Sequence, residues 1–170
     1  FHTVPACIKC NGSGAKHDEA LKVMMGFASG ESRDIPDDVI DTIAATIGKN
    51  QRLAKQIFSS ATFEGSHVKV TFDEASYKEG MMRIVKAMYW SITNEILSAS
   101  AKIDVIPDQR LEPQVLKDLD ELPTLFPTKV INGGTLKCKL IGAKSAEMMV
   151  LNFFDKHTVV AVIYKNDSLK

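Results

Sequence analysis

Met148-Met149-Val150-Leu151-Asn152-Phe153 and Thr158-Val159-Val160-Ala161-Val162-Ile163-Tyr164 decide the fold. Each is a short apolar run, and the polar Asp155-Lys156-His157 between them reads as a hairpin turn joining two antiparallel strands. Leu136-Lys137-Cys138-Lys139-Leu140 reads as a third strand, its cysteine facing inward between lysines as a small apolar residue. Further upstream, Ile103-Asp104-Val105-Ile106 is a strand stopped by Pro107, Pro113 to Leu122 a short helix with an early proline, and Pro123 to Pro127 a loop. Met81, Ile84, Val85, Met88, Tyr89, Ile92 and Ile96 recur at threes and fours, which predicts a long helix from about Glu74 to Leu97 as the spine. Strict alternation over His67-Val68-Lys69-Val70-Thr71-Phe72 predicts a strand. Earlier still the pattern is helical. Gln51 to Ser60 carries Leu53, Ile57 and Phe58, and the stretch after Asp34-Ile35-Pro36-Asp37-Asp38 carries Val39, Ile40, Ile43, Ala44 and Ile47 before Gly48. Ala15 to about Phe27 carries Ala20, Leu21, Met24 and Met25, with Asp18 and Glu19 suiting its start. Helices gathered first and a mostly antiparallel sheet closing the chain make the fold class α+β.

The 170 residues suffice for one well-buried domain with a small appendage. Lysine plus arginine and aspartate plus glutamate number 21 each, so there is no bulk attraction to nucleic acid and any DNA contact must be local. Three cysteines with a single C-x-x-C do not make a secreted disulfide framework and point to a reducing, cytoplasmic setting. No run is long enough to span a bilayer, so no membrane partner is expected.

The chemistry-bearing segment is Thr3-Val4-Pro5-Ala6-Cys7-Ile8-Lys9-Cys10-Asn11-Gly12-Ser13-Gly14, which leads into Lys16-His17-Asp18-Glu19-Ala20-Leu21. Cys7 and Cys10 are spaced to hold one ion from adjacent corners, but tetrahedral zinc takes four ligands, so they form half a site. His17, at a helix start just beyond, is a candidate further ligand with Asp18 or His2, or else a solvated helix cap. Asn11 before Gly12 is also a strong turn signal. Lys9, Lys16, Lys22 and Arg33 give the region a modest basic character that suits phosphate contacts, or simply a solvated face. His67 and His157, at a strand start and a turn, are expected to face solvent. Trp90 and Tyr89 are expected in the core or an interface, and the methionine pairs at 24 and 25, 81 and 82, and 148 and 149 to fill irregular core space or, for one of them, to form a soft contact surface.

Val4 to Leu21 resembles the second half of the zinc-knuckle form of HNH nucleases, in which a C-x-x-C is followed at once by Asn or His and a helix. Arg83-Ile84-Val85-Lys86-Ala87-Met88-Tyr89-Trp90 resembles the R-I-V-x-G-L-aromatic helix of one bacterial branch. Phe153-Phe154-Asp155 with Val159-Val160-Ala161 resembles its closing hairpin. The resemblance implies a partial zinc knuckle over residues 1–30 and an α+β domain over 31–170. It implies structural zinc on Cys7, Cys10 and His17, catalytic Mg or Mn placed with the help of Asn11, and Lys9 and Lys16 against DNA. The family's first C-x-x-C and its Asp–His pair would precede Phe1, so the chain as it stands is expected not to cleave DNA.

Other readings stay open. A non-enzymatic protein-interaction module would keep a vestigial zinc site, or share one in a homodimer whose second copy supplies the two missing ligands from its own Cys7 and Cys10. A small thiol-redox protein is the third, although Gly12 and Gly14 interpose a turn where such a dithiol wants a helix start. The same residues match the C-x-x-C-x-G-x-G repeat of J-domain co-chaperones, but that repeat works in paired copies and this chain has one.

Overall fold

The computed structural model describes residues 8–28, 37–65, 67–98, 100–142 and 146–164, with backbone alone for 8–16, 28, 38–39, 67–68 and 132. In chain order these residues form α1 (Ile8–Ala28), α2 (Asp37–Lys49), α3 (Gln51–Ser60), β1 (Thr62–Glu64), β2 (His67–Lys69) and α4 (Glu74–Thr93). Then come β3 (Lys102–Pro107), α5 (Pro113–Glu121), β4 (Lys129–Ile131), β5 (Leu136–Gly142), β6 (Ala146–Phe153) and β7 (His157–Tyr164). The fold is α+β, helices first and an antiparallel sheet last. Two compact units are present, one up to Gly80 and one from Met81.

In the first unit α1 is the hub. Leu21, Val23 and Met25 are all buried. Residues two apart on a helix point about 200° apart, so α1 is covered on more than one side rather than along a single stripe. Val23 meets Leu53 and Ile57 of α3, with Ala20, Ile43, Ile47, Val70 and Phe72 packed round them. Close helix approaches need small residues. Gly26 of α1 faces Ile43 of α2, and a Cβ on Gly80 of α4 would stand 2.8 Å from Leu21 Cδ2 and 3.1 Å from Leu21 Cβ.

α1 begins at Ile8, well before the expected Ala15, so Cys10-Asn11-Gly12-Ser13-Gly14 is helical backbone rather than a turn. Glycine disfavours a helix interior by about 1 kcal/mol relative to alanine, which is why local preference pointed the other way. The second half of α1 is packed into the core, and a helix once formed extends at little further cost per residue. The single strand expected over residues 67–72 is instead the second arm of a β1–β2 hairpin, pairing Phe63 with Val68, and the chain leaves the strand so that Val70 and Phe72 join the core.

The second unit is a five-stranded antiparallel sheet in the order β3-β7-β6-β5-β4. Its centre is buried on both faces. On one face Leu119 of α5 packs with Ile141, Val150 and Val160, flanked by Leu111 and Met148. On the other, Cys138, Leu140, Met149, Leu151, Val159, Ala161 and Ile163 are each no more than 1% exposed. Burial raises the Cys138 thiol to about 12, so it stays a neutral, small apolar residue. Met81, Val85, Met88 and Tyr89 of α4 are buried as expected. The helix ends at Thr93 rather than Leu97 because Asn94 takes the left-handed conformation at φ 59°, its N–H donating to Trp90 O at 2.8 Å. Ile96 is left 81% exposed.

The β6–β7 turn is Phe154-Asp155-Lys156, with His157 already in the strand opposite Phe153. Phe154 and Asp155 are both left-handed, at φ 55° and 58°, and Lys156 N–H donates to Phe153 O at 3.0 Å. Two consecutive left-handed residues twist a hairpin the right way, but non-glycine residues pay about 1–2 kcal/mol each for it. Phe154 N–H donating to Thr135 O at 2.9 Å and the Lys137–Asp155 ion pair at 2.7 Å hold them there. β4 answers no expected strand. It reaches β5 through Gly133 and Gly134 at φ 64° and 102°, which close the connection.

Two glycine substitutions separate packing from propensity. Gly48 of α2 has open space where a Cβ would stand, so Gly48→Ala should stabilise by roughly 0.5–1 kcal/mol. Gly80→Val should destabilise by roughly 2 kcal/mol through overpacking against Leu21. Urea denaturation of both variants checks the contrast.

Candidate functional site

α1 carries most of the residues expected to act. Lys9, Cys10 and Asn11 lie in its first turn and Lys16 and His17 further along, while Cys7 and His2 lie outside the described residues. Cys10 and His17 are seven residues apart on one helix, about 10 Å along its axis. His17 turns to another partner: its Nδ1 lies 3.2 Å from Ser76 Oγ. Asp73 caps α4, accepting from Ser76 N–H at 2.9 Å. The Ser76 hydroxyl and then its N–H hold the Asp73 carboxyl below its ordinary value against partial desolvation, with smaller help from Ala75 N–H and His17. A carboxylate can only accept, so Ser76 donates to Asp73 and accepts from His17 Nδ1–H. In that order the serine is not activated by the imidazole. The chain fixes the start of α4 and orients the His17 ring.

Beside this junction is a cleft of about 150 Å³ lined by Ala20, Met24, Asn50, Arg52, Leu53, Gln56, Phe72, Asp73 and Ser76. Its lining is mixed and more polar than apolar. Asn50 is committed to the scaffold: its Oδ1 accepts from Leu53 N–H at 3.0 Å as the α3 cap, and its Nδ2 donates to Glu19 at 2.7 Å. The side chains of Arg52 and Gln56, one turn apart on α3, make no hydrogen bond among the described residues. Phe72 is steadied by Phe27, ring centroids 6.1 Å apart. None of these rim residues stood out in the sequence, although Asp73 three residues before Ser76 and Asn50 three before Leu53 have the spacing of helix caps.

Among the described residues no three His, Cys, Asp or Glu side chains are grouped to hold a metal ion. No helix among them is long and apolar enough to cross a membrane. Comparison with protein-family models, curated proteins and solved structures returned no match.

In the second unit His157 and Asp108 form a buried titratable pair. His157 is 3% exposed, not solvent-facing as expected, because its place opposite Phe153 points it to the same face as Val159, Ala161 and Ile163. Its Nδ1 lies 3.0 Å from Asp108 Oδ1, and its ring stacks on Phe153 with centroids 6.4 Å apart. Asp108 also accepts from Thr158 N–H and Gln109 N–H, each at 2.9 Å. Burial pushes its carboxyl up, but the hydrogen bond to His157 and the two backbone bonds outweigh this and leave it below its ordinary 3.8.

A carboxyl depressed in the folded state adds stability above its unfolded value and loses it as pH falls through the folded one. Asp108→Ala should therefore cost about 2 kcal/mol at neutral pH. The gap from the parent should narrow below about pH 4, as the parent's carboxyl protonates. Urea midpoints of both proteins across that range check it.

Proposed function

We propose that this chain belongs to an HNH-type, zinc-knuckle nuclease that hydrolyses nucleic-acid phosphodiesters with a divalent metal. The observation that carries the reading is that α1 starts at the C-x-x-C itself and holds Asn11 in its first turn. A side chain there rides a rigid element whose amino end favours anions, the arrangement needed to set a metal and a scissile phosphate together. Lys9 and Lys16 lie on the same helix and would meet flanking phosphates. Structural zinc would sit on Cys7 and Cys10, its remaining ligands coming from outside this sequence or from a second copy. Catalytic Mg or Mn would sit with Asn11 and a His and Asp that this sequence does not supply. The buried, neutral thiol of Cys138 accords with a cytoplasmic location.

A second reading is favoured by a different observation. Phe58 and Phe63 of the first unit are 73% and 80% exposed, and a partner could cover these two rings. In that reading the chain is a protein-interaction module whose zinc is shared or vestigial.

Metal content of the native protein separates the two. About one zinc per chain, lost in Cys10→Ala, is the expected result, and in a protein that also carries the family's Asp–His pair upstream of Phe1, plasmid nicking in Mg or Mn should accompany it and fall at least roughly tenfold in Asn11→Ala. Half a zinc per chain without nicking points to a shared site. Neither zinc nor nicking removes the nuclease reading.

A further inference from the structure

We infer that the cleft between α1, α3 and the start of α4 is a binding pocket for a single pyrimidine base of single-stranded nucleic acid. The inference rests on the nucleic-acid reading above and gives it a base-recognition site. Size sets the ligand first. A volume of about 150 Å³ is that of a cavity known to hold one benzene ring, so a six-membered ring fits and a fused purine would protrude.

Polarity sets it next. Phe72, with Ala20, Met24 and the buried Leu53, supplies the smaller, apolar part of the lining, against which one face of a flat ring can rest. Arg52 and Gln56 offer donors not used elsewhere among the described residues, and Asp73 offers an ionised acceptor. A pyrimidine edge carries the complement, carbonyl and ring-nitrogen acceptors beside an amino or imide N–H. An aromatic face with a guanidinium and amide at the edge is the common means of holding an unstacked base. A purely apolar ligand would strand the rim donors, and a free phosphate would meet the Asp73 carboxylate. Arg52, exposed at the mouth, can also reach the neighbouring phosphate.

The test is binding of an octadeoxycytidylate, against an octamer of abasic sugar phosphates of equal charge, to the native protein at fixed salt without added Mg or Mn. The bases should tighten binding roughly tenfold. In Gln56→Ala that advantage should fall below about threefold, and Arg52→Ala should reduce it as well. Lys55→Ala, an exposed neighbour on α3 that does not line the cleft, should weaken both octamers equally. Equal binding of the two octamers, no binding of either, or an advantage unchanged in Gln56→Ala and Arg52→Ala overturns the pocket. The nuclease reading fails separately: base-dependent binding without zinc or nicking leaves the pocket standing, and nicking without a base advantage leaves the nuclease standing.

Discussion

The pairing of β6 with β7 is the constraint on which the sheet depends. Eight residues of each strand run antiparallel from Ala146 opposite Tyr164 to Phe153 opposite His157, and β5 and β3 take their registers from the outer edges of this pair. Because side chains alternate between faces, a slip of one residue would exchange the two buried faces throughout. The turn forbids that slip. Phe154 and Asp155 are held left-handed by Thr135 and Lys137, and His157 is held by Asp108 from the segment just after β3. Two chain segments distant in sequence, at Asp108 and at Thr135 to Lys137, thus converge on one end of one hairpin.

The helical unit is organised differently, around a helix that has no single exposed face in its second half. Leu21, Val23 and Met25 pack in different directions, and the glycines at 26 and 80 let neighbouring helices come close. The same packing brings His17 and Ala20 of α1 to the caps of α3 and α4, so the cleft is a by-product of how helix starts are satisfied. Asn50 and Asp73 are spent on capping. Arg52, Gln56 and the residual acceptor capacity of Asp73 are what a ligand could use.

Much of the fold was legible because its signals are periodic. α2, α3, α5 and the core of α4 follow three-and-four spacing, β6 and β7 are apolar runs bounded by breaks, and β3 and β5 interleave apolar with charged residues. What escaped was set by partners distant in sequence. Gly12 and Gly14 argued locally for a turn, yet the packed half of α1 carries the helix through them. His157 looked like a turn residue because Thr158 to Ile163 is apolar at nearly every position, leaving no alternation to show which residues face inward; Asp108, 49 positions earlier, decides it. β4 is three residues long and has no pattern of its own. Of the site, the C-x-x-C and Asn11 were visible as a motif, whereas Ser76, Arg52 and Gln56 acquire meaning only when three helices meet.

The outer side of β5 has a different kind of importance. Its seven residues, Leu136-Lys137-Cys138-Lys139-Leu140-Ile141-Gly142, would form an open sheet edge if left bare. β4 covers only Leu136 to Cys138, and beyond it Leu125 N–H donates to Leu140 O at 2.8 Å while its side chain lies over Gly142. An uncovered apolar edge is a template for another chain. The loop between α5 and β4 therefore occupies, with a stretch that contributes little to the core, part of an edge that another strand could otherwise extend.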